Sequence, residues 1–122
     1  MSLAPFLALS KALSDPTRVR ILAALERDEL CLCQIVELFG LAPSTLSKHV
    51  GLLSNAGLVR RRKQGRWHYF RLAGNRAPED VRQALEWALG TLRYDPVIRE
   101  DAKRLRKILK KDPQEIVACY RS

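Results

Sequence analysis

The chain has 122 residues, of which 47% are hydrophobic, and its 22 lysines and arginines outnumber 13 acidic residues to give a net charge of +9 and a pI near 10.0. That length supports one modest core, and no apolar run approaches the roughly 20 residues of a membrane span, so one compact unit with no membrane partner is expected. The basic excess is spread along the chain, which favours nucleic acid over a membrane surface as the polyanionic partner.

The first helix is expected from about Ala4 to Ala12, with Leu3, Phe6, Leu7, Ser10 and Leu13 at amphipathic spacing. The segment lacks the basic opening of a signal peptide, so it reads as cytoplasmic structure. Ser14 or Asp15 then caps a second helix with Pro16 in its first turn. Val19, Leu22 and Leu25 form its buried face, leaving Arg18 and Arg20 nearer the surface, toward phosphate or solvent. A third, short helix is expected from Cys31 to Leu38, ended by Gly40.

The next stretch, LAPSTLSKHVGLLSNAG, places Leu46, Val50 and Leu53 at helical spacing behind Pro43. Two helices joined by a tight glycine turn have the layout of a helix-turn-helix. The exposed face of its second helix carries Ser44, Thr45, Ser47, Lys48 and His49, all able to hydrogen-bond base edges or phosphates. From Leu58 the period becomes that of a strand, and Gly65 divides a hairpin in which Trp67, Tyr69 and Arg71 share one face. Arg62, Lys63 and Arg66 crowd its tip. Such a charge run is either a solvated face or a wing touching the DNA backbone or minor groove.

From Pro78 to about Arg93, Val81, Ala84, Leu85, Ala88, Leu89 and Leu92 trace an apolar stripe. With the first helix it forms a candidate dimer interface, the alternative being packing within one chain. A further helix follows Asp95-Pro96, with Ile98, Ala102, Leu105, Ile108 and Leu109 as its apolar face. A last one, opened by Asp112-Pro113 and Glu115, carries Cys119.

An odd count of three cysteines argues against a closed disulfide framework and suits metal or redox chemistry in a reducing compartment. Cys31 and Cys33 pose a geometric problem. Residues two apart on a helix point about 200° from each other, so an intact helix cannot offer both sulfurs to one ion. Either the two are unrelated core residues, or the first turn unwinds or begins later to bring them together.

The strings ELCLC, APSTLSKHV, AGLV and GRWHYFRL, in this order, resemble the ArsR/SmtB family of winged-helix metal-responsive repressors over about residues 6–93. The resemblance implies a mainly α fold with a small β-hairpin, a winged helix-turn-helix with extra C-terminal helices. It implies a homodimer that represses transcription from an imperfect palindromic operator in double-stranded DNA and leaves it on binding an inducer. Residues 1–93 are then expected to form the DNA-binding and dimerisation domain, and residues 94–122 a helical extension packed on it.

Arsenic and antimony sensors of that family carry a Cys-x-Cys before the recognition helix, so Cys31 and Cys33 take the role of ligands to trivalent arsenic or antimony. DNA binding itself requires no cofactor. The family's best-known pattern has a third cysteine where this chain has Val36, and Cys119 is the other thiol that could complete the site. Ala42 also stands where the family often has a serine cap. The alternatives are another soft metal, a thiol sensor of oxidation or persulfide, and a DNA-binding protein with no inducer. Zinc is disfavoured because it usually wants four ligands. No nucleophile and base at telling spacing and no phosphate-cradling loop point to an enzyme.

Overall fold

The computed structural model describes residues 1–112, 115 and 116. Helices α1 (Leu3–Leu13) and α2 (Pro16–Ala24) lead to a short strand β1 (Leu30–Cys31) and to α3 (Leu32–Phe39) and α4 (Pro43–Asn55). Strands β2 (Val59–Gln64) and β3 (Trp67–Leu72) form the wing, followed by α5 (Glu79–Leu92) and α6 (Pro96–Ile108).

Local chemistry sets these boundaries. Asp15 accepts a hydrogen bond from the Arg18 amide at 3.1 Å and caps α2. Asp95 does the same for α6, from the amides of Val97 at 2.9 Å and Ile98 at 3.3 Å. Gly40, at φ 66°, ends α3 in the left-handed conformation that glycine adopts without a Cβ clash, and so makes the turn into α4.

Ile21, Leu22, Leu30, Ile35, Leu38, Leu46, Leu53 and Leu58 are wholly enclosed and hold the helices around one core. Each such side chain contributes roughly 1.5–3 kcal/mol by leaving water. Strand order β1-β3-β2 makes an antiparallel sheet of three strands where the sequence suggests a hairpin of two.

Three expectations change. Cys31 is not helical: it is extended (φ −80°, ψ 159°) and pairs with Tyr69 of β3, so α3 starts one residue later than the apolar pattern indicates. Arg18 is buried, and its guanidinium donates to the carbonyls of Lys11 at 2.7 Å and Ala12 at 3.1 Å, satisfying the last turn of α1. Arg20 is half-buried and pairs with Asp101 of α6. On α6 the buried face is Asp101, Leu105 and Ile108, whereas Ala102 and Leu109 are exposed. A sequence stripe counts apolar residues only, and Asp101 enters this one because Arg20 meets it.

Candidate functional site

The exposed face of α4 carries Ser44, Thr45, Ser47 and Lys48, while Leu46, Val50 and Leu53 point into the core. The buried stripe therefore fixes which side chains α4 presents outward. Ala42 precedes the helix with no side-chain cap, and Pro43 occupies its first turn. His49 stands apart from the other four: it is half-buried, with Nδ1 3.3 Å from Arg18 Nη1 and 3.9 Å from Asp15 Oδ2. It ties the back of α4 to the start of α2.

The wing presents Lys63 and Arg66 to solvent beside Gly65, whose φ of 61° turns β2 into β3. Arg62 is placed differently. Its Nε and Nη2 donate to the two carboxylate oxygens of Glu29 at 3.2 and 2.5 Å, and its Nη1 donates to Gln64 Oε1 at 2.5 Å. The same guanidinium lies over the Tyr69 ring, 4.5 Å from the centroid. Arg62 holds the Glu29 carboxyl below the usual carboxylate range, chiefly through these hydrogen bonds.

Cys31 and Cys33 come together. With Cys31 in β1 and Cys33 in the first turn of α3, their Cα atoms are 5.4 Å apart and their sulfurs are joined as a disulfide. The Gln34 side chain accepts from the Cys31 amide at 2.9 Å and helps fix this bend. Cys31 is buried and Cys33 half-buried. Among the described residues no group of three or more histidines, cysteines or acids could hold a metal ion, so this neighbourhood offers two sulfurs. Cys119 lies outside the described residues. Ile116, three positions before it, is buried in the core.

Sequence reasoning missed Glu29, Tyr69 and Asp101 as partners of arginines. The signal for Glu29 was slight: an acid two residues before Cys31 becomes a wing contact only because β1 pairs with β3.

A family model described as bacterial regulatory protein, arsR family, matches residues 15–61. An uncharacterised HTH-type transcriptional regulator of Methanocaldococcus jannaschii is 36% identical over 73 residues, covering 59% of this chain and 82% of that protein. An arsenic resistance transcriptional regulator, ArsR1, of Pseudomonas putida is 32% identical over 110 residues, covering 89% of this chain and 83% of that protein. The chain belongs to the ArsR family. The solution structure of a homodimeric winged helix-turn-helix DNA-binding domain from Mycobacterium bovis, described as a possible ArsR-family regulator, is similar with a TM-score of 0.63 at 27% identity. The match covers 76% of this chain and 82% of that one. This ArsR-family chain is accordingly a DNA-binding transcriptional regulator and not an enzyme. Among the described residues no helix is long and apolar enough to cross a membrane.

Proposed function

We propose that this ArsR-family regulator is a dimeric cytoplasmic repressor that leaves its operator when trivalent arsenic or antimony binds Cys31 and Cys33. The approach of the two sulfurs at the β1–α3 junction carries this reading. In the reduced protein both thiols can reach one soft, thiophilic centre without unwinding α3. Arsenous acid and two thiols give two sulfur–arsenic bonds and release two waters, and a third thiol replaces the remaining hydroxyl with loss of a third water. Cys119 is proposed as that third ligand, supported by the anchoring of the tail at Ile116.

Ser44, Thr45, Ser47 and Lys48 are read as the groove-facing set, with Lys63 and Arg66 on the backbone and His49 bracing the helix behind them. Dimerisation is favoured by the exposed Leu3, Phe6 and Leu7 of α1 and Trp87 of the neighbouring α5, whereas Val81, Leu85 and Ala88 of the apolar stripe are buried within the single chain. Residues 1–93 then bind DNA and dimerise, and residues 94–122 form an extension that α6 anchors to α2 and α3.

Arsenite titration of the reduced protein tests the site, following thiolate-to-arsenic ultraviolet absorption and free thiols beside Cys31→Ser, Cys33→Ser and Cys119→Ser. One arsenic per chain protecting all three thiols is expected, with every variant binding more weakly. A silent Cys119→Ser limits the protein's share to two sulfurs, and no protection in the wild-type protein overturns the arsenic reading.

The Cys31–Cys33 bond favours a second reading, a thiol sensor in which a peroxide takes two electrons and two protons from the pair to form the disulfide and water. Operator release by peroxide but not by arsenite would select it.

A further inference from the structure

Cys31, Tyr69 and Arg62 form one row across the sheet. Cys31 is the cross-strand partner of Tyr69, and Tyr69 is the partner of Arg62. Directly opposed residues in antiparallel strands project from the same face, so a cysteine sulfur, an aromatic ring and a guanidinium stand side by side. Glu29 closes the row on the other side: it lies two residues before Cys31 and grips Arg62 with both carboxylate oxygens. The guanidinium is thus held between Tyr69, the neighbour of Cys31 across the sheet, and Glu29, its neighbour along the chain.

We infer that Glu29 and Tyr69 relay the state of the Cys31–Cys33 pair to the wing, by setting whether the Arg62 guanidinium is held against Glu29 and the Tyr69 ring or released toward the DNA backbone. The inference rests on the reading of this pair as the inducer site. Drawing the Cys31 sulfur toward a shared ligand pulls on the residue whose two neighbours hold Arg62. A carboxylate and a phosphate compete for the same donors of one arginine, so a small shift in Glu29 or Tyr69 changes which of them prevails. The inducer then acts on DNA through the wing as well as through α3. Glu29 is a positioning residue in this relay and touches no DNA itself.

The experiment uses a duplex selected by the reduced wild-type protein from a random-sequence pool, with its affinity measured with and without arsenite. In wild-type protein arsenite is expected to weaken binding about tenfold or more, within the usual range of allosteric coupling. Glu29→Gln and Tyr69→Leu should bind arsenite with unchanged stoichiometry but shrink that factor to roughly threefold or less. Glu29→Asp and Tyr69→Phe, which keep the carboxylate and the ring, should restore most of it. An undiminished factor in Glu29→Gln, with wild-type protein responding normally, overturns the relay and leaves the thiol site standing.

If wild-type protein takes up no arsenic, the inducer reading fails instead. The relay is then judged on the Arg62 Nε–Hε resonance in reduced and disulfide-bonded protein. The relay requires that resonance to shift in wild-type protein and to stay in place in Glu29→Gln. No shift in wild-type protein overturns it.

Discussion

Single residues determine how α4 begins and which face it turns outward. Ala42 leaves the first amides of the recognition helix without a side-chain acceptor, although its backbone is already in the extended region that a cap requires (φ −59°, ψ 142°). Ala42→Ser should therefore raise stability by about 0.5–1 kcal/mol, read from the urea midpoint at unchanged m-value. A destabilised variant would mean that the site cannot accept the hydroxyl. This position was legible in the sequence, because a cap is a local matter between neighbours. Arg18 was not: its hydrogen bonds to the carbonyls that end α1 depend on the angle at which α2 turns back on that helix.

Between elements, α6 is bound to the helix-turn-helix by charge as well as by apolar packing. Arg20 of α2 makes a two-toothed pair with Asp101, at 2.7 and 2.8 Å, and the same guanidinium lies 5.0 Å from the centroid of the Phe39 ring at the end of α3. Asp101 is almost fully enclosed, and the Arg20 pKa is raised chiefly by its hydrogen bonds to this carboxylate. Arg104 donates to the carbonyl of Leu38, and Lys111 lies 3.2 Å from Glu37, so the last turn of α3 is held from outside. Asp101→Asn should cost about 2–3 kcal/mol, the lower end for a broken buried pair because Arg20 keeps access to water. Chemical denaturation measures that loss. A change below roughly 0.5 kcal/mol would class the contact with ordinary surface pairs.

Across the molecule, one group of exposed apolar residues lies on the adjoining helices α1 and α5, apart from Tyr94 and Val97 at the start of α6. Leu3, Phe6 and Leu7 of α1 and Trp87 of α5 are each more than half exposed, at 73%, 56%, 53% and 68%. A patch of that kind is expected to be covered by a second copy. Sedimentation velocity should give about twice the 13.9 kDa chain mass for wild-type protein and a single-chain mass for Phe6→Asp, with helix content retained in both. A wild-type monomer at micromolar concentration would remove the dimer from the proposed function.

The sequence by itself determined the order of helices, the glycine turn of the helix-turn-helix, the exposed polar set on α4 and the basic wing. All of these follow from periodicity, caps and turn residues, which act over a few positions. It also identified the question that Cys31 and Cys33 pose, since helical geometry alone separates their side chains. The answer required the third strand: β1 pairs with β3, Cys31 is extended for that reason, and the sulfurs meet where a continuous helix would have parted them. Glu29 against Arg62 and Asp101 against Arg20 were equally beyond reach, for they join residues 33 and 81 positions apart. Such pairs are decided by the packing of whole elements, because no local rule links an acid on one element to a base on another.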